Sequence, residues 1–193
     1  MQQLQTVRGE DNNLNRLVQA LPERIASGLP GQAEVAVASF TSGLAVSANL
    51  STGGFDTHGN HDRDHSRRLT DLLEGVDHLW NEIERAGLQD RTTVLVGSDF
   101  GRTPFYNANR GKDHWNVTSM LAMGAGIRGN RVIGATDANV EARAVNPQNL
   151  QLDSNGIILT PEHIHVALRD LAAIPADLDA QFGIQAPLLP LFS

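Results

Sequence analysis

The sequence predicts an α/β fold in which a mainly parallel sheet is flanked by helices. Short apolar runs of strand length alternate with longer stretches of helical periodicity, which is typical of layered α/β proteins. The first apolar run, residues 44–50, consists mostly of small residues, which suit a strand packed closely on both faces of a parallel sheet. Polar clusters directly follow two of these runs, where α/β proteins bind ligands beyond the carboxyl ends of their strands.

Four stretches have helical periodicity and are predicted as helices: residues 14–21, residues 32–42, residues 66–86 and a late helix that begins after Thr160. Their ends carry the usual signals. Pro22 stops the first helix, and Gly43 and Gly87 are suited to the left-handed caps of the second and third. The fourth has Thr160 as its cap residue and Pro161 in its first position.

The apolar runs between these helices are predicted as strands: residues 44–50, residues 92–97, residues 119–124 and a short run at residues 131–134. Residues 22–31 are predicted as a loop and residues 153–156 as a turn. The tail, residues 185–193, is apolar but interrupted by proline, so it is expected to pack on the core without forming an element of its own.

Size and charge narrow the classes of function. The chain of 193 residues is expected to form one domain over residues 1–193, with an N-terminal helix and loop over residues 1–30. The net charge is −7, and Arg67 and Arg68 are the only adjacent basic residues, which argues against a nucleic-acid partner. No stretch approaches the ~18 apolar residues of a membrane span, and the first residues lack the apolar region of a signal peptide. The absence of cysteine excludes disulfides, thiolate metal sites and cysteine nucleophiles.

Asp56 and His58 are the first candidates for chemistry. They are two positions apart, so in an extended segment their side chains lie on one face. A carboxylate and an imidazole facing the same way form half of a site for a divalent metal. The alternative is a surface loop in which both side chains only cap turns.

Two further pairs follow along the chain. Asp99 is expected at a strand end, as a metal ligand or a cap, and Arg102 is suited to a phosphate or sulfate; the alternative is an internal salt bridge between them. Asp113 and His114 are adjacent and point apart when extended, so at most one is expected to face the site, while the other supports it or is structural.

His61 and His65 are expected at a solvated helix start, with additional metal ligands as the alternative. His78, His163 and His165 lie within predicted helices and are expected to be structural. The chemistry of the chain is therefore expected in the three Asp-containing clusters described above.

Four motifs, taken together in their order along the chain, resemble a known family: GGFDTHGN at residues 53–60, SDFGRT at residues 98–103, N-x-N-x-G-x-DHW at residues 107–115 and MGAG at residues 123–126. The sequence resembles the C-terminal part of the bacterial family called domain of unknown function 1501, over about residues 10–185. That family is placed in the alkaline phosphatase and sulfatase superfamily.

The resemblance implies a mainly parallel sheet with a two-metal type of site at its strand ends. The matching positions are the predicted ligands of a divalent metal: Asp56, His58, Asp99, Asp113 and His114. Zinc is expected first, with manganese, magnesium or calcium as alternatives. Arg102 is the predicted catalytic contact to the anion, where it neutralises charge in the transition state.

Two departures from the family pattern matter. The nucleophile and the first metal-binding Asp of the superfamily lie in an earlier segment, and nothing before residue 44 resembles a strand that ends in Asp and is followed by Ser or Thr. The chain is therefore expected to be a C-terminal half. Phe100 stands where phosphatases and sulfatases often have a histidine, which predicts one metal or weaker binding.

The predicted function is metal-dependent hydrolysis of a phosphate or sulfate ester without a resident nucleophile. The alternative is a non-catalytic metal- or ligand-binding module, or half of a split or oligomeric protein. Self-association or a partner chain that supplies the missing half is expected, because a half-length sheet exposes an edge. The family resemblance implies export in the parent protein, through a twin-arginine signal that this sequence lacks.

Overall fold

The computed structural model describes residues 12–175 and 183–193. The chain divides into two compact units: one comprises the residues up to Thr92 together with Tyr106–Asp113, and the other comprises Thr93–Phe105 and His114–Ser193. Within the described residues, the first unit contains three helices: α1 (residues 12–20), α2 (Gly28–Ser42) and α3 (His61–Arg85). The described part of the second unit contains four short strands and one helix: β1 (Thr93–Val96), β2 (Gly101–Arg102), β3 (His114–Trp115), β4 (Leu121–Gly124) and α4 (Pro161–Leu171). The single domain over residues 1–193 stays a prediction.

The first unit is built around the packing of α2 on α3. The small residues of α2 allow close approach, and Ala33 and Val37 are buried there. Gly75 of α3 lies against the side chain of Leu29, so that a Cβ at position 75 would overlap it. Ile83 of α3 is fully buried. Burial of apolar side chains along this contact is what stabilises both helices.

The helices agree with the sequence periodicity, but α2 and α3 begin more than a turn earlier than predicted. α2 begins at Gly28 and not at residue 32, because Pro30 falls in the first turn, where a missing N–H costs no hydrogen bond. α3 begins at His61 and not at residue 66, and its first turn carries Asp62 and Asp64, which suit the positive end of a helix dipole. Gly43 ends α2 in the left-handed conformation with φ of 76°, as predicted.

The predicted strand at residues 44–50 is wrong, because no strand forms there. Val46 is fully exposed, so the segment has no apolar face to bury. The side-chain amide of Gln32 pairs with the backbone of Ser51 through two hydrogen bonds of 2.9 Å. The side chain of Gln32 therefore pairs with the backbone N–H and carbonyl of Ser51, as a neighbouring strand would.

The predicted mainly parallel sheet is also wrong. The described part of the chain has two small antiparallel sheets: β1 pairs with β4, with Thr93 opposite Gly124, and β2 pairs with β3, with Arg102 opposite His114. Parallel neighbours need a crossover connection, usually a helix. The chain between β1 and β4 instead contains the β2–β3 pair, and the strand that would have preceded α3 is missing. The run at residues 131–134 forms no strand either.

The core of the second unit lies beside α4. Leu150 and Ala167 are buried there together with Leu189 and Leu191 from the tail, which confirms that the tail packs on the core. Thr160 and Pro161 begin α4 as predicted, and the backbone N–H of Thr160 donates to Nδ1 of His163 at 3.1 Å. None of the helices in the described ranges is both long and apolar enough to cross a membrane.

Candidate functional site

The segment before α3 places Asp56 and His58 side by side. Tight turns shape it: the backbone N–H of Thr57 donates to the carbonyl of Phe55 at 2.9 Å, and that of His58 donates to the carbonyl of Asp56 at 3.2 Å. Asn60 adopts a left-handed conformation with φ of 47° and starts α3 directly afterwards. The side chains meet as the spacing predicted, with Nε2 of His58 3.0 Å from Oδ1 of Asp56.

The second ring nitrogen of His58 contacts another carboxylate. Nδ1 lies 2.8 Å from Oδ1 of Asp113, and the same oxygen accepts a hydrogen bond of 3.0 Å from the side-chain amide of Asn107. A carboxylate oxygen only accepts, so each of these contacts calls for a proton on the ring nitrogen that makes it. A cation bound at Nε2 would take the place of the proton there, while Nδ1 kept its own. We call Asp56, His58, Asp113 and Asn107 the His58 cluster.

The side chain of Asn107 holds the loop that supplies Asp113 through hydrogen bonds to backbone groups. Oδ1 of Asn107 accepts hydrogen bonds of 2.9 Å from the backbone N–H groups of Asn109 and Gly111. The side-chain amide of Asn107 also donates to the carbonyl of His58 at 3.1 Å. Gly111 packs so tightly on the backbone of His58 that a Cβ there would overlap it. The sequence signal for Asn107 was its place in the N-x-N-x-G-x-DHW motif.

The hydroxyl of Thr57, within the DTH motif, contacts His61. Thr57 is 6% exposed, and its Oγ1 lies 2.7 Å from Nδ1 of His61. His61 is buried and stacks on His65, whose ring meets the edge of Phe55. These two histidines therefore pack beneath the motif and do not form the solvated helix start that the sequence predicted.

Asp56 and His58 open onto a cleft in the first unit. The cleft has a volume of about 390 Å³, and its other lining residues come from the glycine-rich segment and from the start of α3: Gly54, Thr57, Gly59, Asp64, Arg67 and Arg68. Arg63 holds the pKa of Asp64 below its usual value through a hydrogen bond of 2.7 Å, and Arg67 and Arg68 lower it further. The cleft therefore contains two carboxylates beside two guanidinium groups.

The other predicted site residues belong to the second unit. Asp99 is exposed in the loop between β1 and β2, and His114 is exposed in β3, opposite Arg102 of β2. The ring of Phe100 stacks on that of His114 at 3.8 Å between centroids. The guanidinium of Arg102 lies 5.1 Å from the centroid of the same phenyl ring. Phe100 thus contacts both His114 and Arg102.

Comparison with known proteins gives one match. The model of the family described as Protein of unknown function (DUF1501) matches residues 40–154, which is more than half of the chain. The chain belongs to this family, and the resemblance drawn from the four motifs is confirmed at that level. No curated protein and no solved structure matches the chain.

Proposed function

We propose that the His58 cluster binds a divalent cation and that the protein hydrolyses phosphate or sulfate esters. The observation that carries the proposal is the placement of His58 between Asp56 and Asp113. Membership of the alkaline phosphatase and sulfatase superfamily, correspondence to the C-terminal part of the family, and export of the parent protein belong to the same proposal. They rest on the motif resemblance alone.

The two donors that face each other fit half of the site of a divalent metal. Nε2 of His58 and Oδ1 of Asp56 lie 3.0 Å apart, and their side chains are 47% and 64% exposed. Imidazole nitrogen and carboxylate oxygen suit zinc first, with manganese, magnesium or calcium as alternatives. The bond from Nδ1 to Asp113 is the support that metal-binding histidines usually have, because it fixes the tautomer and the ring orientation. Asp99 and His114 stay predicted ligands in the second unit.

The reaction adds water to the ester. A bond forms from the water oxygen to phosphorus or sulfur, the bond to the alcohol oxygen breaks, and a proton passes to the leaving alcohol. A bound cation supplies Lewis-acid polarisation of the ester oxygen. Asp56 and His58 hold the cation, Asp113 keeps the proton on Nδ1 of His58, and Arg102 stays the predicted contact to the anion.

One observation favours the alternative function, a non-catalytic metal- or ligand-binding module. Thr57 supplies the hydroxyl of the DTH motif, and it is buried against His61, where it does not serve as a nucleophile. The proposed hydrolysis then relies on direct attack by water, which is slower than attack by an activated side-chain nucleophile. A module that binds the metal without turnover, or half of a split or oligomeric protein, keeps the same cluster.

Metal analysis of the full chain tests the proposal. The protein is stripped with a chelator, supplied with zinc or manganese and dialysed, and its metal content and hydrolysis of aryl phosphates and sulfates are measured. We expect retained metal in the wild type, its loss in Asp56→Ala and His58→Ala, and affinity about 10- to 100-fold lower in Asp113→Asn.

Asp90→Asn is the matched control, because Asp90 is an exposed acid of the same unit and the charge change is the same. Metal that is retained without hydrolysis supports the binding module. A wild-type protein that retains no metal, or an Asp56→Ala variant that retains as much as the wild type, would contradict both functions.

A further inference from the structure

We propose that Arg67 and Arg68 form an anion-binding subsite in the cleft beside Asp56 and His58, and that its ligand is the dianionic phosphate group of a monoester. The role of Asp56 and His58, and with it the preference for a dianion, rests on the proposed function. The binding of an anion by the two arginines does not rest on it and is tested separately below.

The two arginines border the same opening. Both lie on α3 and both line the cleft that Asp56 and His58 also line. Adjacent residues of a helix point roughly 100° apart, so two neighbours that reach one cleft approach it from different sides. Arg67 is exposed and Arg68 is half-buried, which gives the cleft one guanidinium at its rim and one along its wall.

Arg68 is held in place from two directions. Its Nη1 donates to Asp71 at 3.0 Å, one turn further along α3. Its side chain also passes so close to Gly54 that a Cβ at position 54 would overlap it. Gly54 has φ of 90°, a conformation that favours glycine, so the residue serves both the turn and the close approach. A planar guanidinium held in this way keeps further donors for a bidentate contact with phosphate.

The charges of the lining residues favour a dianion. The formal charges of Asp56 and Asp64 balance those of Arg67 and Arg68. Without the arginines the cleft would be acidic and would repel an anion. A divalent cation at Asp56 and His58 would add two positive charges. The phosphate of a monoester carries about two negative charges near neutral pH, whereas a sulfate ester carries one, so the phosphate balances the cleft better.

Two non-hydrolysable probes test the subsite. Phenylphosphonate and benzenesulfonate differ in charge, and calorimetric titration of the full chain, both chelator-treated and resupplied with zinc, measures their binding without turnover. We expect phenylphosphonate to bind more tightly than benzenesulfonate to the zinc-supplied protein. We expect roughly tenfold weaker binding of phenylphosphonate in Arg67→Ala or Arg68→Ala, and a larger loss in the double variant.

Arg91→Ala is the matched control, because Arg91 is an exposed arginine of the same unit and does not line the cleft. If Arg68→Ala disturbs the fold, Arg68→Lys keeps the charge and tests whether the paired N–H donors of the guanidinium are needed. Equal affinity for both probes in the zinc-supplied protein, or binding in the Arg67→Ala and Arg68→Lys variants equal to that of Arg91→Ala, would overturn the inference. Arginine-dependent binding of phenylphosphonate in a protein that retains no metal would support the subsite and contradict the proposed function.

Discussion

Tyr106 is the only tyrosine of the chain, so its ionisation can be followed by ultraviolet absorbance without assignment. Its hydroxyl donates to Asp62 at 2.6 Å, and this bond to a carboxylate raises the pKa of Tyr106 above its ordinary value. We expect the tyrosinate absorbance of the folded protein to appear at higher pH than that of the urea-unfolded chain. Asp62→Ala should remove most of this difference.

The direction of the pKa shift fixes its effect on stability. Because the pKa of Tyr106 is higher in the folded state, the contact with Asp62 stabilises the fold fully below the ordinary tyrosine pKa and is lost as pH rises through the raised value. Asp90→Asn serves as a control that leaves the Tyr106 titration in place. An unchanged titration in Asp62→Ala would show that the hydrogen bond does not set the pKa of Tyr106.

Residue spacing was a good guide to part of the cluster. The positions of Asp56 and His58 predicted that the two side chains share a face, because an extended segment alternates its side chains. The role of Asn107 was not predictable in this way. Its contact with Asp113 depends on a loop that folds back onto His58, a residue far away in the sequence. Spacing within a segment carries no information on which distant segment it meets.

At the scale of elements, the contact of α2 with α3 has a test at Gly75. An exposed Gly→Ala change in a helix stabilises by about 1 kcal/mol. Here the added Cβ overlaps Leu29, so we expect Gly75→Ala to lower the free energy of unfolding by about 1–3 kcal/mol. Urea denaturation measures the change.

A double-mutant cycle separates packing from helix propensity at this position. In a Leu29→Ala background the overlap is removed, and the same Gly75→Ala substitution should be neutral or stabilising. The same loss of stability in both backgrounds would show that Leu29 is not the cause.

Helices were predictable from the sequence and the pairing of strands was not. The apolar faces of α3 and α4 and the caps at Gly43 and Thr160 are local signals, and they placed the ends of α2 and α3 within a turn and the start of α4 at Pro161, whereas α2 and α3 start more than a turn earlier than predicted. The parallel arrangement was an inference from the alternation of runs, and it required residues 44–50 to be a strand. That segment consists mostly of small residues, and its Val46 is fully exposed. β1 pairs instead with β4. Which strands pair is decided by contacts between distant segments.

At the scale of the whole molecule, exposed apolar side chains predict self-association. Val46 and Val132 are 100% and 93% exposed, and within the described residues each strand has one neighbour only, which leaves backbone groups unpaired at sheet edges. We expect light scattering to give a mass above 20.8 kDa that rises with concentration.

Val46→Ser and Val132→Ser should each reduce this rise, because burial of either valine in an interface would be lost. Ala108→Ser, at another exposed position, is a control of similar polarity change. A mass equal to that of the monomer at all concentrations would contradict the expectation.

The division of the first unit into two separate stretches of chain has a consequence for how the protein is made. His58 and Asp113 are 55 positions apart, so during synthesis the histidine leaves the ribosome well before the carboxylate that orients it. Closing so long a loop costs entropy that local helix contacts do not. The helices α2 and α3 can thus form while the cluster is still open. Tight metal binding would then appear only after residues 106–113 have joined the unit, and it would report that folding of the unit is complete.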